Sequence, residues 1–165
     1  MSERPYRICF VCLGNICRSP TAEAVMRHRL EQAGLGRRVL VESAGTGNWH
    51  IGEPADHRAR AEAAARGIPM DGRAQQFAHG HFDRYDLVVA MDRDNRDALL
   101  ALAATPADRA KVRLLREFDP TAPHGAEVPD PYFGGPDGFT DVFDMVDRAC
   151  TGLIGHLRQG ALARR

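Results

Sequence analysis

The chain has 165 residues, 44% of them hydrophobic and 27% charged, close to the average for folded soluble domains, which excludes disorder, collagen and coiled coil as starting points. Its 22 basic and 22 acidic residues cancel, so nothing supplies the broad positive footprint of a nucleic-acid or anionic-membrane binder. The longest apolar run, Ala98 to Ala104, is seven residues, against the ~18 of a membrane-spanning helix, and Met1-Ser2-Glu3-Arg4-Pro5 has no signal-peptide core. These features predict a single domain over 1–165, in the cytosol and away from membranes.

Arg7 to Val11 reads as a buried first strand. Ser19 is expected to cap the following helix with Pro20 in its first turn. Ala22, Val25, Met26, Leu30 and Ala33 lie on its inner face, and Gly34 ends it. Val39 to Ser43 forms a second strand and 45–52 a Gly-rich loop. An alanine-rich helix over Pro54 to Arg66 is supported by Asp56/Arg60 and Glu62/Arg66 pairs and closed by Gly67. Asp86 to Ala90 is the third strand, followed by a helix to about Ala104, and Val112 to Leu115 is the fourth.

A Pro/Gly-rich loop spans 116–138. Phe139, Val142, Phe143, Val146, Ala149, Cys150, Leu153, Ile154 and Leu157 then form one helical stripe, which makes Cys150 a packing residue. Between Glu117 and Asp147 there are eight acids and no Lys or Arg; a solvated acidic face accounts for most of them. Asp130, in Val128-Pro129-Asp130-Pro131-Tyr132, has a more constrained setting.

Strands alternating with helices predict an α/β fold, a three-layer domain on a four-stranded parallel sheet. A flavodoxin-like layout gives the strand order 2-1-3-4. Ligands of such sheets sit beyond the carboxyl end of the strand where the order reverses, here Val11-Cys12. Three of the four cysteines, Cys9, Cys12 and Cys17, crowd that point. Cys9-x-x-Cys12 is a poor metal site, because positions 9 and 12 of a strand face opposite ways and no second pair completes four ligands. No metal or cofactor is expected, and Cys9 reads as core.

The loop Cys12-Leu13-Gly14-Asn15-Ile16-Cys17-Arg18-Ser19 joins a buried strand to a helix, a geometry that gathers backbone N–H groups around an anion of phosphate size. Gly14 and Asn15 tolerate the positive φ of a tight cradle, and Arg18 offers a planar fork to phosphate oxygens. Lacking a Lys, the loop is not a nucleotide P-loop. Thiols at helix N-termini near Arg commonly have pKa values of ~3.5–7.5, so Cys12 is expected to be a thiolate aimed at phosphorus. Cys17 is a small neighbour able to form a disulfide with it. Trp49, the sole tryptophan, lies in a Gly-rich loop, an odd place for a core anchor; it either packs on its own loop or, with Tyr132 and Phe133, forms aromatic walls that grip a phenyl ring.

Val11 to Pro20, with the distant Asp130-Pro131-Tyr132, resembles the low-molecular-weight protein tyrosine phosphatase family, and Ser43-Ala44-Gly45, Gly67 to Met70, Ala90-Met91-Asp92 and Asp137-Gly138-Phe139 extend the likeness over nearly the whole chain. The resemblance implies that Cys12 attacks phosphorus and that Arg18 and the loop from Leu13 to Cys17 hold the oxygens. Asp130 would protonate the leaving phenolate and then activate water. Two prolines stiffen the Asp130 loop, and neighbouring acids are expected to press on its carboxyl. It further implies that Ser19 hydrogen-bonds Cys12, that Asn15 and Ser43 brace the loop, and that Asp92 orients Arg18. Partners would be tyrosine-phosphorylated proteins, met by a monomer or weak dimer. Two departures stand out: Phe133 replaces a frequent second tyrosine, and Pro69-Met70-Asp71-Gly72 lacks a frequent loop-supporting His.

Three alternatives share this fold or cradle. A thioredoxin-linked arsenate reductase needs two further cysteines after the third strand, and 86–104 has none. A protein-arginine phosphatase goes with Thr where this chain has Ile16. A non-catalytic phosphopeptide-binding module usually loses the nucleophile or the acid, and Cys12, Arg18 and Asp130 are all in place.

Overall fold

A computed structural model describes residues 4–132, 135 and 137–163. Four parallel strands, β1 (Tyr6–Cys12), β2 (Val39–Gly45), β3 (Leu87–Ala90) and β4 (Val112–Leu114), form one sheet in the order β2-β1-β3-β4. This is the expected topology. β1 runs down the middle, Ile8 aligned with Val41 on one side and Leu87 on the other. A central parallel strand is covered on both faces, which explains why residues 8–12 form an unbroken apolar run.

Alternation along β1 divides the core. Ile8, Phe10 and Cys12 join the cluster that holds Met26, Leu30, Phe143 and Leu153, from helices α1 (Arg18–Gln32) and α5 (Gly138–Gln159). Cys9 and Val11 join Phe77, Phe82, Tyr85 and Leu99 on the opposite face, under helix α3 (Arg93–Leu102). The two cysteines of Cys9-x-x-Cys12 therefore sit in different layers. All nine residues of the closing stripe are buried, Cys150 among them. Gly34 and Gly67 follow the ends of α1 and α2 (His57–Ala65) with φ of 73° and 71°, the left-handed turn that closes a helix.

Several local expectations are corrected. α1 starts at Arg18, with Cys17 as its N-cap, so Ser19 lies inside the helix and its hydroxyl is directed to the preceding loop rather than to a cap. α2 starts at His57 and not at Pro54, because Pro54 bridges to Arg73 and Asp56 is the cap, accepting from the Arg58 N–H at 2.9 Å. A capping carboxylate turns toward the helix end. Asp56 consequently pairs with Arg58 and not with Arg60, whose Nε donates to the Ala55 carbonyl. Glu62–Arg66 forms as expected at 2.8 Å.

A short helix α4 (Pro106–Ala110) interrupts the connection to β4. Its signature, Thr105 before Pro106, is legible once seen: the Thr105 hydroxyl accepts from the Asp108 N–H at 3.1 Å. Leu115 belongs to a 3₁₀ turn (Leu115–Phe118) and not to β4. The acidic stretch is largely solvated, as expected: Glu117, Asp130, Asp137, Asp141 and Asp144 are exposed and only Asp119 is buried, but several of its acids also form ion pairs. Glu117, Asp119, Glu127, Asp144 and Asp147 pair with Arg113, Arg148, Arg93, Arg66 and Arg29, arginines that flank the stretch or come from distant elements.

Gly152 of α5 packs on the backbone of that 3₁₀ turn, where an added Cβ would overlap the Phe118 carbonyl oxygen. Glycine to alanine inside a helix ordinarily gains ~1 kcal/mol. Here Gly152→Ala should instead destabilise by about 1–3 kcal/mol through overpacking, read as a lower urea midpoint at an unchanged m value.

Candidate active site

β1 ends at Cys12 and α1 begins at Arg18, and the intervening turn closes over the end of the sheet. The turn is possible because Asn15 adopts φ 56°, the one positive φ at a non-glycine among the described residues. Gly14, also expected to need positive φ, does not. Its missing side chain makes room for His50, whose Cδ2 would lie 3.1 Å from a Cβ there. At Gly45 an added Cβ would stand 2.8 Å from the Leu13 carbonyl oxygen, so this glycine lets the end of β2 close on the turn. Past it, the Thr46 and Gly47 N–H groups donate to the carbonyls of Cys12 and Leu13, both at 2.9 Å.

The Cys12 sulfur accepts from the Asn15 N–H at 3.3 Å and lies 3.0 Å from the Ser19 hydroxyl. The carboxamide of Asn15 sets the direction of the surrounding bonds. Its oxygen accepts from the Gln75 N–H at 2.9 Å, and its Nδ2 donates to Ser19 at 2.8 Å and to Ser43 at 3.0 Å. Ser19, with one acceptor position so filled, has its single proton for Cys12 or for the Ala44 carbonyl at 3.3 Å. The Ser43 hydroxyl donates to Glu23 at 2.5 Å, and Glu23 pairs with Arg27 at 2.7 Å.

Gln75 and Glu23 escape the sequence reading. Gln75 acts through a backbone N–H 60 residues from Asn15, which no side-chain pattern announces. Glu23 looks like an ordinary exposed-face residue of a helix. Gln75 also supplies the bracing expected to be weaker where Pro69-Met70-Asp71-Gly72 lacks a His.

Arg18 is buried, with 3% of its surface exposed. Its Nη1 donates to Asp92 at 2.6 Å and to the Val128 carbonyl at 3.0 Å, which turns Nη2 toward Asp130 at 3.8 Å. Burial opposes the guanidinium charge, but Cys12, Asp92 and Asp130 outweigh it and hold Arg18 above its usual pKa. Asp92 is fixed in turn as the cap of α3, accepting from the Asn95 N–H at 2.7 Å. The Asp130 carboxyl is partly exposed at the mouth and accepts from the Tyr132 N–H at 3.0 Å. Its charged contact is the cation of Arg18 rather than the neighbouring acids.

Above the turn a cavity of about 170 Å³ is lined by Cys12, Leu13, Gly14, Ile16, Cys17, Arg18 and Asp130, with Trp49, His50 and Tyr132 at its rim. Most of the residues singled out from the sequence thus meet at one mouth. Asn15, Ser19, Ser43 and Asp92 stand behind it, and Phe133 lies outside the described residues. Trp49 is 67% exposed, too open for a core anchor. His50, missed from the sequence, is held against Glu53 at 2.6 Å. Among the described residues no three His, Cys, Asp or Glu side chains gather as a metal site, and no helix is long and apolar enough to cross a membrane.

Residues 7–162 match the family model described as low molecular weight phosphotyrosine protein phosphatase. The chain belongs to that family. A Streptomyces coelicolor relative named low molecular weight protein-tyrosine-phosphatase is 55% identical over 155 residues, 93% of this chain and 94% of that protein. The crystal structure of a protein tyrosine phosphatase from Entamoeba histolytica superposes with a TM-score of 0.89 at 38% identity, covering 94% of this chain and 99% of that one. The YwlE arginine phosphatase also shares the phosphatase fold, with a TM-score of 0.82 at 27% identity over 93% of this chain and 97% of that one.

Within this phosphatase fold the other three cysteines are chemically quiet. Burial pushes the Cys17 thiol up to about 12, with Asp56, Cys12 and Asp130 adding to the effect, and burial raises Cys9 and Cys150 as well. A raised thiol pKa keeps sulfur protonated below it, and the protonated thiol is the inert form. Iodoacetamide at pH 8 should therefore leave Cys9, Cys17 and Cys150 unlabelled in the folded protein, as read by peptide mass spectrometry. Labelling of Cys17 under these conditions would contradict this.

Proposed function

We propose that the protein hydrolyses phosphotyrosine in proteins, and small aryl phosphates, through a phosphocysteine intermediate. The observation that supports this most directly is the meeting of the Cys12 sulfur, the buried Arg18 guanidinium and the Asp130 carboxyl at one cavity. The substrate phosphoryl group sits in the turn from Leu13 to Cys17, its oxygens on backbone N–H groups and on Arg18. Cys12 Sγ, held by the Ser19 hydroxyl and the Asn15 N–H, attacks phosphorus. As the S–P bond forms and the P–O bond breaks, Asp130 gives its proton to the departing phenolate oxygen. Asp130 then takes a proton from water, whose oxygen displaces sulfur and releases inorganic phosphate with Cys12 restored.

No step in this sequence calls for a metal or cofactor. Trp49 and Tyr132 flank the entrance, where aromatic surface suits an aryl ring and the depth favours phosphotyrosine over the shorter phosphoserine. Ile16, bulky and without a hydroxyl, lines the same wall and fits an aryl ester better than a guanidino phosphate. The partners are tyrosine-phosphorylated proteins, met by a monomer or weak dimer. A reducing cytosol suits the reading, since it keeps Cys12 and Cys17 as thiols. The balanced net charge offers no attraction for nucleic acid or an anionic membrane.

Phosphate release from phosphotyrosine, phosphoserine and phosphoarginine peptides, measured side by side, tests the assignment. Phosphotyrosine should be turned over in preference to both others, with no turnover in Cys12→Ser and a loss of about 10²–10⁴-fold in Asp130→Asn. Turnover by Cys12→Ser would reject the phosphocysteine route. Faster release from phosphoarginine than from phosphotyrosine would reassign the substrate.

A further inference from the structure

Arg58, on the first turn of α2, joins the two halves of the site. Its guanidinium makes a two-pronged pair with Asp56, Nε to Oδ1 and Nη2 to Oδ2, both at 3.0 Å. The Asp56 side chain is itself only 8% exposed, and its backbone N–H donates to the Ile16 carbonyl at 2.8 Å, so this pair stands on the phosphate-binding turn. The third nitrogen, Nη1, reaches across to the Tyr132 carbonyl at 3.2 Å. Two rings hold the plane of the guanidinium: its Cζ is 4.8 Å from the Phe139 centroid and 5.2 Å from the Tyr132 centroid.

The same tripeptide carries the acid. The Tyr132 N–H donates to Asp130 Oδ1 at 3.0 Å, so the position of the Tyr132 backbone fixes one oxygen of the carboxyl and leaves the other 3.8 Å from Nη2 of Arg18, which lines the cavity with it. Upstream, the segment is tied by the Val128 N–H to the Met91 carbonyl at 2.8 Å and by the Val128 carbonyl to Arg18 at 3.0 Å. Arg58 ties it downstream. Hydrogen bonds and an ion pair thus run from Ile16 through Asp56, Arg58 and Tyr132 to Asp130, linking the cradle for the phosphoryl group to the group that meets the leaving oxygen.

We infer that Arg58 is a positioning residue, which clamps the Asp130–Tyr132 segment against the phosphate-binding turn so that the Asp130 carboxyl meets the leaving oxygen. The inference rests on the hydrolysis proposed above. It requires Arg, since one planar fork must serve a carboxylate, a carbonyl and two rings together, which an ammonium cannot. A displacement of about 1 Å at a catalytic group can cost ~10²-fold in rate. That cost falls on substrates whose leaving oxygen needs a proton.

The test compares kcat/KM, which reports departure of the leaving group, for phenyl phosphate and for p-nitrophenyl phosphate, whose phenolate leaves readily without a proton. Wild type, Arg58→Met, Asp130→Asn and the double variant are assayed, together with competitive inhibition by inorganic phosphate. Arg58→Met retains an apolar stem against Phe139 and removes the fork. Should it fail to unfold cooperatively, Arg58→Lys, which keeps the cation without the fork, takes its place.

Loss of the clamp should lower kcat/KM for phenyl phosphate by about tenfold or more and for p-nitrophenyl phosphate by less than about threefold. Inhibition by phosphate should be unchanged, and the double variant should be no slower than Asp130→Asn on phenyl phosphate. Equal losses on both substrates, weakened phosphate inhibition, or multiplicative losses in the double variant would overturn the clamp. If Asp130→Asn discriminates between the substrates and Arg58→Met does not, the clamp fails and the proposed hydrolysis stands. If Asp130→Asn itself does not discriminate, the acid assignment fails and takes the clamp with it.

Discussion

The site depends on one carboxamide. Asn15 occupies a left-handed conformation that most side chains resist and asparagine tolerates, and it is held there because its carboxamide joins three parts of the chain while its N–H meets a fourth. It accepts from the segment before the 3₁₀ turn at His79–Arg84, donates to β2 through Ser43 and to α1 through Ser19, and offers its own N–H to the sulfur at the end of β1. Cys12, Ser19 and Ser43 are buried, and the hydrogen bond from the Gln75 N–H is half-buried. Each unpaired donor or acceptor left behind would carry its own desolvation cost of ~1–3 kcal/mol. The turn is therefore held by hydrogen bonds of its own.

The same economy governs charge. Arg18 is a buried cation, tolerable only because Asp92 meets one of its nitrogens and Asp130 faces the other across 3.8 Å. The pairing also divides its labour. Nη1 is committed to the scaffold through Asp92 and Val128, and the rest of the fork is turned toward the cavity. Asp92 in its turn caps α3, so the orientation of a side chain on α1 is fixed by the start of a helix on the opposite face of the sheet.

Much of this was legible in the chain. The β1 run, the nine-residue stripe of α5 and the glycines after α1 and α2 carry their structural meaning locally, through alternation, helical period and positive φ. Right-handed crossovers left few strand orders, and the flavodoxin-like one among them is the order observed. Less legible were the features that depend on competition for a side chain. Ser19 has the chemistry of a cap and is drawn instead to Cys12 and Asn15. Asp56 was expected to pair four residues on, yet as the cap of α2 it turns to Arg58. The ion pairs of the acidic stretch were not legible either, because every arginine that pairs with it lies outside it.

By itself, then, the sequence determined the kind of chemistry on offer: a thiol, a fork and a carboxyl of matching types, with a strand-to-helix turn to hold the first two. Residue type and local period are intrinsic to a short segment, so they survive without the fold. Only the tertiary structure decided which groups face one another: Gln75 on Asn15, Glu23 behind Ser43, His50 beside Gly14, and Arg58 between the cradle and Asp130. Those relations join positions tens of residues apart through single hydrogen bonds or close van der Waals approach, several of them to the main chain. Main-chain groups are the same in every residue, so no pattern of side chains foretells where they meet.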